Sequence, residues 1–487
     1  MTHDEQQAEA SGESLQLPVP GDAKARFALG VVRRLRQHGF RAVWAGGCVR
    51  DLLMGLKPVD YDVATDARPE QVRRLFRRTV PVGAQFGVVL VVGKGEEGEV
   101  QVATFRREGP YSDGRHPDQI VYCSMLEDAR RRDFTINGMF YDPDAEVLYD
   151  FVGGRRDIER KLIRAIGTAE ERFAEDKLRL IRAVRFAARF GFALEPATRD
   201  AVRRMAPQIR QVSAERIWRE LQLLLVHRSR AEGLRLMAEL GLLEAVLPDV
   251  AQLRGRAGAG LHAGCVDMWE HTVRTTAALE AAWAEARALV ERRIALQSTG
   301  VSLPLPTEVP VSVPMAAVLH GVAEGEPQGV TYEQLLRRKR QSPLRRICAR
   351  LRTSNDLRLE VEWLVLNAPV LLEIRAHAAH EWKPLLADPR APLLLAWARA
   401  EAGELGDEFL RQWRQAAECY VQLSDEALNP PPLLTGEELI RLGVPRGPRV
   451  GELLRRLRAE QLDDRVRTAE EARAFVCRQL GRRAEET

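Results

Sequence analysis

The stretch VWAGGCVRDLLMGLKPVDYDVAT, residues 43–65, contains the pattern that decides the fold of the N-terminal part of the chain. An apolar run leads into a glycine pair and a helical pattern, and a second apolar run begins at Asp60 and Asp62. Side chains two residues apart in a strand project to the same face, so these aspartates are predicted to lie side by side, with Tyr61 pointing away. On its own, such a pair is more often solvated at a strand edge.

The residues before the aspartates favour a phosphate and metal site instead. Gly46 and Gly47 leave room for a phosphate and expose backbone N–H groups at a predicted helix start, and Arg50 adds a charged group that pairs with phosphate oxygens. Mg²⁺ takes oxygen ligands and completes its shell with water and substrate phosphates. Two such ions stabilise the attacking and leaving oxygens of an in-line displacement at phosphorus. We therefore expect Asp60 and Asp62 to bind Mg²⁺ and to act in this chemistry.

The composition is typical of a globular chain with several domains. Its 487 residues exceed what one core usually organises, and the formal net charge of +4 permits a nucleic-acid partner without requiring one. The six cysteines form no Cys-x-x-Cys pair, which argues against a structural zinc site or a disulfide framework and favours a reducing cytoplasm. No run approaches the roughly 20 apolar residues of a membrane span, and the polar, acidic start differs from a signal peptide. We therefore expect a cytoplasmic protein with no membrane partner.

The residue pattern changes near residue 160. Before this point, helical patterns alternate with short apolar runs such as DYDVAT, FGVVLVVG and EVQVATFRR, which are typical of strands. After it, strand patterns nearly vanish and helical periodicity dominates. The sequence therefore predicts a mixed α+β fold, in which an α/β head precedes helical parts.

Five segments, in this order and spacing, resemble a known family. They are GGCVRD (46–51), DYDVAT (60–65), RRDFTING (131–138), DFVGGRRDI (150–158) and EDKLRLIRAVRF (175–186). They are similar to the motifs of class II nucleotidyltransferases, which comprise the CCA-adding enzymes of tRNA and the bacterial poly(A) polymerases. The resemblance covers about the first half of the chain. It implies a template-independent enzyme that uses Mg²⁺ to add C and A from CTP and ATP to the 3′ end of tRNA, with no obligatory protein partner.

The resemblance also implies roles by position. Asp60 and Asp62 correspond to the metal-binding, catalytic aspartates. Nucleotide binding is assigned to Gly47 and Arg50 on the phosphate side and to Arg132, with Asp133 and Asn137 near the ribose.

One strand departs from the family pattern. The family usually has a third carboxylate just before a TFR-like triplet, and this chain reads EVQVATFR, with Gln101 at that place. Glu99 lies two residues earlier on the same strand face, which makes it a candidate replacement. If neither serves, the metals rest on two aspartates and substrate phosphates, and a catalytically inactive RNA-binding protein becomes an alternative.

The fifth segment is interpreted as the part that selects the base. On a helix, Asp176 and Arg179 are i,i+3 neighbours, and Arg182 and Arg185 continue the same stripe. Cytosine and adenine both offer an exocyclic amine beside a bare ring nitrogen, so one carboxylate and one guanidinium fit both bases and oppose uracil and guanine. We expect Asp176 and Arg179 to select the base, while Arg182 and Arg185 bind phosphates or hold the carboxylate in place.

The C-terminal half of the chain is less informative. MWEHTVRTTAAL (268–279) and AAVLHGVA (316–323) resemble the His and His-Asp motifs of HD-like metal phosphohydrolase domains, but Gly321 follows His320. A degenerate domain with too few metal ligands is therefore expected, with His271 and His320 as core histidines. The predicted parts are a disordered tail (1–20), a nucleotidyltransferase head with a small mixed sheet (21–160), a helical neck with the base-selecting residues (161–225), a helical body with the degenerate domain (226–430) and a helical tail that supports RNA (431–487).

Further alternatives remain open. A bacterial poly(A) polymerase shares the five motifs, but its usual Arg-Arg-Phe-type run is absent where this chain reads VGAQFGVVLVV (82–92). An enzyme that adds only A or only C is also compatible, although REGPYSDGRHPDQIVY (107–122) resembles the mobile loop that A addition needs. A phosphohydrolase acting through the second domain is opposed by Gly321.

Overall fold

The computed structural model of the chain describes residues 12–81, 87–108, 120–297, 305–323 and 342–480. Most of the loop predicted at 107–122, namely 109–119, and residues 82–86 of the VGAQFGVVLVV segment lie outside these ranges. The chain divides into two units. Unit 1 comprises the residues up to Leu224 together with Arg235–Val246, and unit 2 comprises Leu225–Leu234 and the residues from Leu247 onward.

A mixed sheet of eight strands forms the framework of unit 1. The described strands of the chain are β1 (Glu13–Ser14), β2 (Ala42–Ala45), β3 (Asp62–Thr65), β4 (Thr79–Val80), β5 (Val88–Val92), β6 (Glu99–Thr104), β7 (Arg106–Glu108), β8 (Ile120–Tyr122), β9 (Phe140–Asp142), β10 (Val147–Tyr149), β11 (Leu162–Ile163) and β12 (Ala193–Leu194). The large sheet has the order β1-β10-β9-β2-β3-β6-β5-β4, in which β3 and β6 are parallel and the other neighbours antiparallel. The strands β7 and β8 form a separate antiparallel pair.

Helices make up most of the remaining structure. The described α-helices are α1 (Ala23–Gln37), α2 (Gly47–Leu53), α3 (Pro69–Leu75), α4 (Met125–Arg130), α5 (Gly154–Glu159), α6 (Ala169–Glu175), α7 (Arg179–Phe190), α8 (Pro196–Met205), α9 (Ala214–Val226), α10 (Arg230–Glu239), α11 (Leu242–Val246), α12 (Pro248–Ala251), α13 (Met268–Ala277), α14 (Leu279–Gln297), α15 (Ser312–Leu319), α16 (Pro343–Leu351), α17 (Asn355–Leu372), α18 (Ala379–Ala387), α19 (Ala391–Leu405), α20 (Asp407–Gln422), α21 (Asp425–Leu428), α22 (Gly436–Arg441), α23 (Pro448–Leu462) and α24 (Ala469–Gln479). The prediction of a mixed α+β fold is confirmed.

Helix α1 illustrates how the sequence sets an element of unit 1. The Asp22 carboxylate accepts a hydrogen bond from the Ala25 backbone N–H at 2.9 Å, which satisfies one of the free donors at the helix start. The apolar residues at helical spacing are buried in one core with the sheet residues Trp44 and Val63. The same strands carry the candidate site at their ends.

Two expectations about local order need correction. Residues 12–20 were expected to be disordered, but Glu13–Ser14 pair with β10, and Leu17 is only 8% exposed. This segment is ordered because β10 offers it backbone hydrogen bonds and the sheet buries its leucine. The neck was expected to be wholly helical, yet β11 and β12 pair in parallel within it.

Unit 2 is built around a buried central helix. Helix α19 contacts α13, α14, α15, α17 and α20, and most of its residues are buried. The C-terminal helices α22, α23 and α24 enclose a smaller apolar cluster that contains Leu439, Leu457 and Val476. Among the described helices, none combines the length and apolar character that a membrane crossing requires.

Candidate active site

Asp60 and Asp62 lie at the start of β3. The strand begins at Asp62, so Asp60 lies two residues before the regular ladder and not within it as expected. Exposure nevertheless alternates, because both aspartates are exposed while Tyr61 is 2% exposed and packs against the Trp44 ring at 4.8 Å between centroids. This alternation agrees with the prediction that both carboxylates point away from the tyrosine.

The surroundings of Asp62 raise the pKa of its carboxylate. Part of its side chain reaches solvent, but the surrounding protein removes hydration from the carboxylate and raises its pKa to about 6. The Arg132 guanidinium lowers this pKa, and the negative charge of Asp60 raises it. Asp60 is 75% exposed and lies 3.6 Å from the Lys24 ammonium. Two carboxylates whose charges repel each other are a donor set that fits a divalent cation.

The neighbouring strand β6 contributes polar side chains beside Asp62. Gln101 is the register partner of Asp62 in the parallel ladder, and Glu99 is the first residue of β6. Both side chains are exposed, and residues paired in register or two apart project to one face. The face that presents Asp62 therefore also presents Gln101 and Glu99.

Gly46 creates the space in which Arg132 lies. Its φ of +70° and ψ of −119° are disfavoured for residues with a side chain, and a Cβ atom there would lie 2.7 Å from Arg132 Nη1. The Arg132 guanidinium is held by the Asp128 carboxylate, at 3.1 and 3.3 Å, and by the Asn137 carbonyl, at 3.2 Å. At Gly47 the nearest atom to such a Cβ is 3.6 Å away. The backbone therefore requires the glycine at position 46 more strictly than at position 47.

A buried chain of hydrogen bonds connects three of the five sequence motifs. Arg50, from GGCVRD, is 5% exposed and donates to the Asn137 side-chain oxygen at 2.6 Å, and its other nitrogens donate to Asp51. The Asn137 amide donates to Asp133 at 3.0 Å, within RRDFTING. Arg182, from the fifth motif, donates to the other Asp133 oxygen at 2.6 and 3.0 Å. These hydrogen bonds therefore connect α2, through the RRDFTING segment, with α7.

Two further contacts extend this series of hydrogen bonds to α9. Arg182 and Arg185 share one face of α7, as predicted, and both donate to Glu220, at 3.2 and 2.6 Å. Burial alone would raise the pKa of Asp133, but the Arg182 guanidinium and the Asn137 amide lower it to about 2. In this structure Arg182 and Arg185 thus hold the carboxylates Asp133 and Glu220, and not that of Asp176.

The expected arrangement of Asp176 and Arg179 on one helix is wrong. Asp176 ends α6 with extended backbone, and Arg179 begins α7. The Asp176 carboxylate accepts the Leu178 backbone N–H at 3.1 Å, a local bond by which aspartate favours helix starts over helix interiors. It also accepts two bonds from the Arg216 guanidinium, at 2.7 and 3.1 Å. Arg179 is 8% exposed and donates to Glu175 at 2.8 Å.

The histidines of unit 2 also differ from expectation. His271 and His320 are buried, as expected of core histidines, but they converge with His262 and Glu401. The ligand atoms of these four residues all lie within 4.8 Å of one another, so the expected shortage of metal ligands is wrong. The MWEH and VLHG patterns indicated only two of the four residues.

Sequence reasoning missed the partners that hold the predicted site residues. These are Asp128, Arg216 and Glu220 in unit 1, and His262 and Glu401 in unit 2. Each lies in a segment that reads as an ordinary amphipathic helix or loop, and their roles arise only from tertiary packing. No local pattern would have distinguished them.

Two family models match the chain. The model of the poly A polymerase head domain matches residues 42–164, and that of the probable RNA and SrmB-binding site of polymerase A matches residues 191–253. The CCA-adding enzyme of Geobacillus kaustophilus (strain HTA426) is 45% identical over 225 residues, which are 46% of this chain and 55% of the relative. The match thus spans about half the length of such curated relatives.

Solved structures align over nearly the whole chain. The crystal structure of the Bacillus stearothermophilus CCA-adding enzyme in complex with CTP covers 94% of this chain and 97% of its own, with a TM-score of 0.66 and 28% identity. The Thermotoga maritima CCA-adding enzyme complexed with tRNA covers 95% and 97%, with a TM-score of 0.57 and 20% identity, and shares the fold. The similarity in fold therefore extends beyond the segment that the sequence match covers.

Proposed function

We propose that the chain is a member of the nucleotidyltransferase family of the CCA-adding enzymes and bacterial poly(A) polymerases, and that it adds C and A nucleotides to the 3′ end of tRNA without a nucleic-acid template. The RNA 3′-hydroxyl oxygen forms a bond to the α-phosphorus of CTP or ATP, and the bond to the leaving pyrophosphate breaks. The proposal rests on one observation. The buried hydrogen bonds through Asn137 and Asp133 link three motifs that are far apart in sequence, and Arg132 from the same segment is close enough to Asp62 to lower its pKa.

Asp60 and Asp62 are proposed to hold Mg²⁺, and Glu99 is proposed as a third carboxylate in place of the absent one at Gln101. The observation in support is the exposed, mutually repelling pair of aspartates with Glu99 on the same face. When bound, Mg²⁺ neutralises phosphate charge and makes the attacking hydroxyl more acidic. The carboxylates supply the hard oxygen donors that this ion prefers.

Arginine side chains are proposed to bind and orient the triphosphate. Arg132 is prepared for this role because Asp128 and the Asn137 carbonyl fix its guanidinium before any substrate arrives. Arg50 is fixed in the same way and lies 4.7 Å from the Phe190 ring centroid. Gly47 follows the turn at Gly46 and leaves the backbone open to a phosphate.

Asp176 and Arg179 are proposed to select the base, although they do not lie on one helix as expected. Arg216 holds the Asp176 carboxylate from α9, and Glu175 holds Arg179. A carboxylate and a guanidinium fixed in this way match the amine and ring nitrogen shared by cytosine and adenine. Arg182 and Arg185 are proposed to support this part of the site through Asp133 and Glu220, and to bind the nucleotide.

We also propose a cytoplasmic location and a division into a head (21–160), a neck (161–225), a body (226–430) and a tail (431–487). All six cysteines are free thiols, which suits a reducing compartment. The exposed arginines of α23 suit the RNA-supporting role proposed for residues 431–487.

The decisive experiment measures which nucleotides are added to which RNA. The purified chain is incubated with Mg²⁺ and with tRNA that ends before CCA, after C or after CC, alongside an unrelated RNA, with CTP, ATP or both. Addition of the missing nucleotides to tRNA, followed by a stop, is the expected result. Long adenosine tails on any RNA would instead identify a poly(A) polymerase, and addition of only A or only C would identify a partial enzyme.

The Asp60→Ala variant tests the site itself. It is expected to lose nucleotide transfer while still binding tRNA, because the carboxylate acts on the reacting phosphate and not on the RNA body. Glu70→Ala, which removes an exposed carboxylate at the start of α3, is the control and keeps activity. Full transfer by Asp60→Ala would overturn the assignment.

A further inference from the structure

A cluster of four polar side chains lies in the buried interior of unit 2. His262 ends a short 3₁₀ turn, His271 lies in α13, His320 follows α15, and Glu401 lies in α19. The four residues are between 1% and 9% exposed. Because burying polar groups without partners costs free energy, their convergence calls for a compensating interaction.

The three imidazoles surround one carboxylate oxygen. Glu401 Oε1 lies 2.5 Å from His262 Nε2, 3.1 Å from His271 Nε2 and 3.6 Å from His320 Nε2. The three ring centroids form a nearly equilateral triangle with sides of 5.1, 5.2 and 5.3 Å. Donor atoms around a tetrahedral ion with bonds of about 2.0–2.2 Å lie roughly 3.3–3.6 Å apart. The distances from Glu401 Oε1 to His271 and His320 are close to this spacing, whereas the distance to His262 is that of a short hydrogen bond, which would lengthen when an ion binds.

His320 directs a free nitrogen toward the centre of the cluster. Its Nδ1 lies 2.7 Å from the Ala317 carbonyl, which can only accept, so Nδ1 carries the proton in the neutral ring. The Nε2 atom then carries a lone pair, and it has no hydrogen-bond partner in the described structure. Glu401 Oε2 is likewise buried without one. Two buried acceptors that lack a donor within one cluster are stabilised by a cation.

We propose that His262, His271, His320 and Glu401 bind a divalent transition-metal ion of the Zn²⁺ class. Four ligands drawn from imidazole and carboxylate groups are typical of tetrahedral zinc, whereas Mg²⁺ prefers oxygen ligands in octahedral geometry. The bond from His320 Nδ1 to a backbone carbonyl is the contact that usually orients a metal-binding imidazole. This site lies within unit 2 and is separate from the proposed Mg²⁺ site of unit 1.

The site does not need the aspartate that the HD-like pattern lacks. A Cβ atom at Gly321 would lie 3.0 Å from Met268 Cε and 3.2 Å from a Leu253 methyl group, so a side chain there would meet the apolar core. The carboxylate comes instead from Glu401, 81 residues after His320 in a different helix. The fourth ligand, His262, comes from a turn with no motif of its own.

A cavity gives the ion a route to the cluster. His262, His320 and Glu401 line a cavity of about 530 Å³ whose other walls are mainly apolar, including Trp397 and Leu372. The Trp397 ring packs 5.2 Å from the His320 ring, between centroids, and limits its rotation. The ligands are thus held in place while one side remains accessible.

The test measures metal binding by the full chain. The full chain carries Asp60→Ala, which removes a carboxylate of the proposed Mg²⁺ site. Its metal is removed with a chelator, and the protein is then titrated with Zn²⁺ and with Co²⁺. We expect one tightly bound ion per chain and, with Co²⁺, the intense visible absorption of a tetrahedral site with nitrogen ligands. A chain that binds no Zn²⁺ tightly, or that gives only the weak spectrum of octahedral Co²⁺, would overturn the proposal and leave a hydrogen-bonded cluster without a metal.

Substitutions test whether these four residues bind the ion. Glu401→Gln and His320→Gln are expected to weaken Zn²⁺ affinity at least 10-fold, since even the loss of a group that orients a ligand costs about 10- to 100-fold. His377→Gln, which alters a partly exposed histidine bonded to Glu381, is the matched control and leaves affinity unchanged. Circular dichroism of each metal-free variant confirms folding. Unchanged affinity in both folded cluster variants would contradict the proposal, and if they fail to fold, the Co²⁺ spectrum of the unaltered cluster decides it.

Discussion

Asp133 is the residue on which the buried network of unit 1 depends. Its oxygens accept hydrogen bonds from Arg182, from the Asn137 amide and from the Phe134 backbone. Removing one member of a buried charged pair leaves the other without its partner and costs about 3–5 kcal/mol. We expect Asp133→Asn to lower the free energy of unfolding at pH 7 by about 3 kcal/mol, measured by urea denaturation.

The control for this prediction is an exposed pair in the same unit. Asp200 lies 3.6 Å from Arg203, and both side chains are at least half exposed. Exposed pairs contribute about 0–1 kcal/mol, so Asp200→Asn should change the unfolding free energy by less than about 1 kcal/mol. Equal effects of the two substitutions would show that the buried network does not stabilise the unit.

The acid dependence of stability tests the same carboxylate in another way. The pKa of Asp133 is about 2 in the folded chain and about 3.9 in an unfolded one, so the unfolded chain takes up the proton first as the pH falls. The contribution of Asp133 is therefore complete above about pH 5 and is lost progressively as the pH falls toward about 1. We expect Asp133→Asn to reduce the slope of unfolding free energy against pH in this window by up to one proton, about 1.4 kcal/mol per pH unit. The measurement is urea denaturation at several pH values, and identical slopes would contradict it.

The two glycines of the first motif are expected to respond differently to alanine. At Gly46 a side chain meets Arg132 and a disfavoured backbone conformation, which costs about 1–3 kcal/mol. At Gly47, the first residue of α2, alanine has room and favours the helix. We expect Gly46→Ala to lower both stability and nucleotide transfer, and Gly47→Ala to keep stability while raising the KM for CTP. Thermal unfolding and steady-state kinetics of both variants measure this, and equal stability losses would refute the distinction.

At the scale of elements, the turn between α6 and α7 replaces the continuous helix that the sequence indicated. The residues EDKLRLIR have helical periodicity, but Asp176 has an extended backbone and its carboxylate accepts the Leu178 N–H. At this turn the Asp176 carboxylate contacts Arg216 of α9. Helix α9 therefore becomes part of the proposed base-selecting site through Arg216.

This role of α9 leads to a prediction about specificity. Arg216→Ala leaves the Asp176 carboxylate without its two charged hydrogen bonds, so its orientation toward the base is lost. We expect the preference for CTP and ATP over UTP and GTP, measured as ratios of kcat/KM, to fall at least about 10-fold, with kcat for CTP less affected. Arg219→Ala removes an exposed arginine from the same helix and should leave the ratios unchanged. An unaltered preference in Arg216→Ala would separate Asp176 from base selection.

The elements of this chain were predictable to the extent that their signals are local. Short apolar runs indicated β3, β5 and β6, because this pattern depends only on a few neighbouring residues. The edge strand β1 and the turn at Asp176 were not predicted, since the first needs β10 as a partner and the second joins Asp176 to Arg216, 40 positions away.

At the scale of the whole molecule, the limit of sequence reasoning is the pairing of distant segments. The motifs supplied Arg50, Asp133 and Arg182, but nothing local showed that Glu220 holds Arg185 or that Glu401 joins His271. These contacts join residues that are 35 and 130 positions apart. Such pairing is set by tertiary packing, which a single sequence does not reveal.

The charge of the whole molecule bears on the RNA partner. The formal net charge is only +4, so binding of a long polyanion depends on where the arginines lie and not on their number. On α23, Arg449, Arg455 and Arg456 are exposed. If residues 431–487 support the tRNA body as proposed, these side chains neutralise phosphates and release counterions on binding.

Replacing these three arginines by alanine is therefore expected to weaken tRNA binding at least about 10-fold at low salt. The slope of log affinity against log salt concentration should fall by up to about one for each phosphate that is no longer neutralised. CTP affinity should not change, because the proposed nucleotide site lies among other residues. The control replaces Arg292, Arg411 and Arg414, which are equally exposed on α14 and α20, and so removes the same charge elsewhere in unit 2. Equal losses in the two triple variants would mean that overall charge, and not the surface of α23, holds the RNA.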